Sequence, residues 1–247
     1  LHKAVKLDKK SFVIIGIAVA IVIGCIGYYL MLRNEVTAPG DVVHSFNAPG
    51  TDARGLAWDG THLWNADGDA DKIYRIDPTS GAVVDEIDMP SDWSVGLTWD
   101  GTHLWCADSD AENVYKLDPA TGVVISLFTD ISLGDLAWDN THLWGIDATS
   151  GPGIYRTCQK LDPTTGNVVH SISLPGPCVG LAWDGAHLWT ADLWEEKIYK
   201  LDPETGNVIL HIKAPSPDIR GLTWNGTYLW AADITTLKIY RIDVTDA

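Results

Sequence analysis

The feature that most constrains this chain is a stretch that keeps returning. Gly55–Gly81 reads GLAWDGTHLWNADGDADKIYRIDPTSG, and Gly96–Gly122 reads GLTWDGTHLWCADSDAENVYKLDPATG. A looser copy runs from Leu136 (LAWDNTHLWGID) to KLDPTTG at Gly166. Gly180–Gly206 (GLAWDGAHLWTADLWEEKIYKLDPETG) and the copy from Gly221 (GLTWNGTYLWAADITTLKIYRID) complete the series. The anchoring tryptophans Trp58, Trp99, Trp138, Trp183 and Trp224 lie 41, 39, 45 and 41 residues apart. A period of about 40 residues that carries strand signals implies small sheets arranged as a propeller or solenoid.

A single repeat reads as a four-stranded blade. Gly55–Trp58 is strand A, His62–Ala66 strand B, Ile73–Ile76 strand C and Val83–Ile87 strand D. Asp59-Gly60 is the dipeptide that a two-residue type I′ hairpin favours. Asp77-Pro78-Thr79-Ser80-Gly81 is a second turn, with proline fixing φ and glycine taking the left-handed position. The fifth copy runs through Lys238–Ile242 and lacks a strand D. Gly40–Pro49 (GDVVHSFNAP) matches Gly166–Pro175 (GNVVHSISLP) in register, so residues 40–48 supply the missing strand. The expected fold is all-β: a five-bladed propeller over residues 40–247, closed by an N-terminal strand.

Ahead of it the sequence divides into a basic segment (1–11), a hydrophobic helix (12–33) and a linker (34–39). Phe12–Leu32 is 21 residues without a charge, long enough to span a bilayer core. Residues 1–37 carry Lys3, Lys6, Lys9, Lys10 and Arg33 against Asp8 and Glu35, a net of +3 in a chain of −16, which leaves −19 for the remainder. The lysines ahead of the apolar run place the N-terminus inside and the propeller outside, at the cell surface. Gly16, Ala20 and Gly24 share one helix face and allow close approach of another helix, in a membrane or in a filament core. This predicts a homo-oligomer or larger assembly. The architecture loosely resembles type IV pilin-like subunits.

Cys25 and Cys106 read as packing residues, whereas Cys158 and Cys178 fall on loops of one propeller face and are candidates for a disulfide. His62, His103, His142 and His187 repeat with the blades, as packing and turn chemistry does. Asp67, Asp108, Asp147, Asp192 and Asp233 close every strand B. Fivefold repetition favours capping of loop amides. The same five would also ring the mouth of the channel, as a site for a cationic ligand or a basic partner. Asp67, Asp69 and Asp71 have calcium-loop spacing without the downstream glutamate, so no metal or other cofactor is expected beyond that weak calcium signal.

Function breaks repeat symmetry, and the departures on this face are Arg54, Trp93, Asp135, Trp194 and Arg220. These are the candidate binding residues, with the two arginines suited to an anionic group and the tryptophans to anchoring a partner. The Trp-Asp pair lies at the A–B turn, not at the end of strand C as in WD40 blades. No P-loop, HExxH or G-x-S-x-G motif is present, and the acidity disfavours nucleic acid.

The pattern GL-x-WDG-x-x-LW-x-AD…IY-[RK]-[IL]-D-P-x-TG resembles the propeller repeats of the glutamine cyclotransferase-like family, over residues 40–247. The resemblance implies a five-bladed propeller and, in catalytic members, cyclisation of N-terminal glutamine. Those members place a glutamate after strand B of an early blade. The matching stretch here is Leu63-Trp64-Asn65-Ala66-Asp67-Gly68, so Asn65 stands at the glutamate position. With uniform repeats and no such glutamate, the sequence reads as a non-catalytic, surface-displayed interaction subunit. The alternative is an anchored enzyme of glutaminyl cyclase type.

Overall fold

The computed structural model describes residues 40–149 and 156–245, without the side chains of residues 94 and 95. The hydrophobic helix, the linker, Cys25 and the Gly16, Ala20, Gly24 stripe lie outside the described residues. Strand β1 (Asp41–Asn47) comes first. Four blades follow in chain order: β2 (Ala53–Trp58), β3 (Leu63–Asp67), β4 (Lys72–Ile76) and β5 (Val83–Asp88); β6 (Ser94–Trp99), β7 (Leu104–Asp108), β8 (Asn113–Leu117) and β9 (Val124–Thr129); β10 (Leu133–Trp138), β11 (Leu143–Asp147), β12 (Thr157–Leu161) and β13 (Val168–Ser173); β14 (Cys178–Trp183), β15 (Leu188–Asp192), β16 (Lys197–Leu201) and β17 (Val208–Lys213). The last three strands are β18 (Ile219–Trp224), β19 (Leu229–Asp233) and β20 (Lys238–Asp243).

Each blade is an antiparallel sheet in sequence order, and the fifth has the order β1-β20-β19-β18. The N-terminal strand therefore closes the ring, with Asp41 opposite Asp243 and Asn47 opposite Lys238. The fold is an all-β five-bladed propeller. Burial falls from the axis outward, as this geometry requires: β3 is buried throughout, while β5 is exposed except at Ile87.

The core is a ring of five apolar clusters, each filling the space between consecutive blades. The strand-B tryptophan of one blade packs on strands A to C of the next. Trp64 lies against Leu97, Leu104 and Leu117, and Trp230 of the last blade returns to Leu56, Leu63 and Ile76 of the first. These indoles are fully buried, and burial of one such side chain contributes about 1.5–3 kcal/mol. An outer cation covers each indole: Arg75, Lys116, Lys160, Lys200 and Arg241 lie 5.5, 5.1, 5.4, 5.2 and 5.8 Å from the ring centroids.

The A–B turn differs from the expected type I′ hairpin. Gly60 has φ of 97°, but Asp59 does not share a positive φ. The turn is instead organised by the Asp59 side chain, whose Oδ1 accepts the amides of Thr61 and His62. Its other oxygen accepts the indole N–H of Trp64 at 3.0 Å and faces Arg75. A carboxylate that caps a turn, holds a core indole and pairs a cation removes the need for left-handed backbone at its own position. The same arrangement recurs at Asp100, Asp139 and Asp184. The second turn follows the sequence, with Gly81 at φ 74° and Asp77 capping Thr79 and Ser80.

Candidate functional site

All five inner strands depart from regular pairing at one place. The register slips between Ala53 and Leu56 in the first blade, and between the corresponding residues of the other four. Such a bulge leaves one residue out of the ladder and turns its backbone groups away from the partner strand. Four blades carry glycine here: Gly55, Gly96, Gly180 and Gly221. Three of these are places where inner strands approach closely. A Cβ on Gly221 would lie 2.0 Å from the Arg54 carbonyl oxygen, and one on Gly96 would lie 2.8 Å from that of Gly134. Gly180 adopts φ of +70°.

The third blade carries Asp135 at this position. It occupies the consensus glycine site, whereas Gly134 is the residue equivalent to Arg54 and Arg220. The Asp135 carboxyl crosses the axis and accepts the amides of Leu97 at 3.2 Å and Leu181 at 2.7 Å. It also takes those of Leu136 and Leu222, so strands of four blades converge on one side chain. Burial pushes its pKa well above the ordinary carboxylate value, and the four amides pull the other way without cancelling it. No cation pairs with Asp135 among the described residues. It forms the floor of a cavity.

That cavity opens on the face formed by the B–C and D–A loops, with about 450 Å³ of open space. Its walls are Arg54, Ser109, Gly134, Ile146, Val179, Gly180 and Arg220. The structure thus brings Arg54, Arg220 and Asp135 together. Arg54 donates its Nε–H to Asp52 at 2.7 Å, and Arg220 does the same to Asp218. The terminal guanidinium nitrogens have no partner among the described residues. Trp93 lies 4.8 Å from the Arg54 guanidinium and extends the rim. Trp194 stands apart, exposed and beside Arg156.

The strand-B aspartates do not form an open ring of carboxylates. Asp67, Asp108, Asp192 and Asp233 are buried, and none of the five lines the cavity. Each spends its oxygens on local donors. Asp67 accepts the Asp52 and Ala70 amides, Asp108 those of Asp110 and Ala111, and Asp192 those of Trp194 and Glu195. Asp147 takes the amide and hydroxyl of Thr149, and Asp233 the amides of Thr235 and Thr236. The cationic site expected from these residues loses its ligands to capping. The calcium spacing fails for a related reason: Asp67 turns inward while Asp69 accepts the Thr51 hydroxyl outside. Among the described residues no three His, Cys, Asp or Glu side chains gather around a metal position.

The expected Cys158–Cys178 disulfide is absent. Both residues are free thiols buried in the cluster between the third and fourth blades. Burial raises both pKa values, that of Cys178 to about 12. Asn65 is also fully buried; its Nδ2 donates to the Gly55 carbonyl, and it does not line the cavity.

The opposite mouth of the channel was not read as a site from the sequence. There the five strand-A tryptophans line one funnel with Asp59, Asp100 and Asp184 at its lip. Periodicity marked these tryptophans only as repeat anchors.

No protein-family model matches this chain, and no curated protein matches its sequence. Solved structures do match. Glutaminyl cyclase of Myxococcus xanthus superposes with a TM-score of 0.70 at 14% identity, over 84% of this chain and 99% of that one. Hydrazine synthase of Kuenenia stuttgartiensis gives 0.52 at 14% identity, over 77% and 83%. The likeness to glutaminyl cyclase extends over most of this chain, and what the two share is the five-bladed propeller fold.

Proposed function

We propose that this propeller is a non-catalytic interaction module whose loop-face mouth receives an anionic group of a partner. The observation that carries this reading is Asn65. It stands where catalytic relatives place a glutamate, and it is buried away from the cavity. The polar groups left at the mouth are two arginines with uncommitted terminal nitrogens, which suit a carboxylate or phosphate. The apolar stretch 12–33 fits display outside the cell, as a subunit of a membrane complex or of a pilus-like filament. Electron microscopy of native surface material would separate these: propellers on a helical rod mean a filament, and single propellers above a bilayer mean an anchor.

The second reading is an enzyme of glutaminyl cyclase type. It is favoured by the shared fold and by Asp135, a carboxyl of raised pKa at the cavity floor. Against it, both Asp135 oxygens are held by backbone amides. The test is incubation of the purified chain with a glutamine-initiated peptide, with loss of ammonia followed by mass spectrometry. No turnover is expected. Turnover abolished by Arg54→Ala or Arg220→Ala would overturn the binding-module reading.

A further inference from the structure

The ten repeat tryptophans have two fates. The strand-B indoles are sealed in the core, and each carries a cation on its face. Trp58, Trp99, Trp138, Trp183 and Trp224 are only half buried. Each packs one side against its blade's cluster. Among the described residues, none of the five has an ion pair, a cation over its ring, a ring–ring contact or a side-chain hydrogen bond. All five nevertheless line one throat of about 330 Å³, together with Leu136, Leu181, Leu222, Thr98 and Thr223. The throat widens into the lip that holds Asp59, Asp100 and Asp184. Five unengaged indoles around one axis form a recognition surface that the fold does not need for its own packing.

The setting selects the ligand. The wall offers two threonine hydroxyls and indole N–H groups, too few side-chain partners for a polyhydroxylated ligand. The C–D turns open on the same face as the A–B turns and place Asp77, Asp118, Asp162 and Asp202 around it. Amide hydrogen bonds hold these four carboxyls below the ordinary range, so they are ionised at neutral pH. No lysine or arginine pairs with them among the described residues. A negative rim around a cage of π-faces favours a weakly hydrated cation, whose charge sits over the rings and whose methyl groups fill an apolar throat.

We propose that the tryptophan funnel is a binding site for a small quaternary ammonium solute, entered from the A–B face and independent of the arginine mouth on the other side. The test is titration calorimetry of the full chain in a non-ionic detergent, with choline as probe and 3,3-dimethylbutan-1-ol as its neutral isostere. Saturable choline binding is expected, with the isostere at least about tenfold weaker because it lacks the cation–π attraction. Trp138→Leu should weaken choline about tenfold, and Trp138→Phe, which keeps a ring, should weaken it less. Arg54→Ala should leave it unchanged, which separates this site from the one above. Equal binding of choline and the isostere would overturn the proposal, as would no saturable binding of choline. Tighter binding of a trimethyllysine peptide than of choline would move the cation to a protein side chain and overturn the small-solute assignment.

Discussion

Replacing Asn225 by aspartate should stabilise the propeller, and the structure sets the size of the gain. In four blades the A–B turn carboxylate accepts the indole N–H of its strand-B tryptophan at 2.9–3.0 Å and faces a strand-C cation. In the fifth blade Asn225 keeps the turn, accepting the amides of Thr227 and Tyr228. It leaves Trp230 Nε1 and Arg241 Nε buried without acceptors. A buried donor left unsatisfied costs about 1–3 kcal/mol, and a charged acceptor restores most of it. Adding one more negative charge to a chain of −16 takes back a few tenths through repulsion. The expected net is about 1–2 kcal/mol, or roughly 2–8 °C in Tm for a domain of this size. Thermal and urea unfolding of Asn225→Asp measure it, and a cycle with Trp230→Phe isolates the indole N–H. A gain that survives in the Phe background, or no gain at all, would refute the reasoning.

Asp135→Gly restores the repeat consensus and should still destabilise the fold by about 3–5 kcal/mol, because several axial amides lose their acceptor. Since the folded pKa of Asp135 is raised, its contribution is full below the unfolded carboxylate value and declines as pH rises. The urea difference between wild type and Asp135→Gly should therefore be larger at about pH 4 than at about pH 8, and the opposite trend would contradict the burial argument. Gly221→Ala puts a methyl 2.0 Å from the Arg54 carbonyl oxygen, so it should lower Tm sharply or abolish folding, as circular dichroism would show. Asp100, Asp139 and Asp184 have depressed pKa values; the stability they supply is present above about pH 4 and lost below it, which acid titration of the urea midpoint would follow. Cys158 and Cys178 should resist a thiol reagent at neutral pH and react at once in denaturant, and fast labelling of the native chain would argue against their burial.

The architecture was legible because a repeat of short strands with fixed turn residues has few ways to bury its apolar faces. The closing strand was legible because Gly40–Pro49 is itself a strand-D sequence. Less could be read where one residue type serves two geometries. An aspartate at the end of strand B caps a loop or lines a channel with equal sequence logic, and Asp67 and its equivalents took the cap because unpaired loop amides lie nearer than the axis. Arg54, Asp135 and Arg220 stood out as breaks in symmetry. The offset of Asp135 from the arginines did not, since it depends on a bulge that no residue pattern announces. The two tryptophans of each repeat look alike in sequence, yet one is sealed between blades and the other faces a funnel.

The closing strand also has a consequence in time. His44 pairs with Arg241, so the first strand of the propeller waits for a partner made about two hundred residues later. Four blades can form from neighbouring hairpins as the chain emerges, while the fifth must hold an open edge until β1 is found. In that interval β20 is a template for any free strand of the right pattern, including β1 of another copy. At high expression the first failure of this fold should be an exchange of β1 between chains, yielding paired propellers with intact blades.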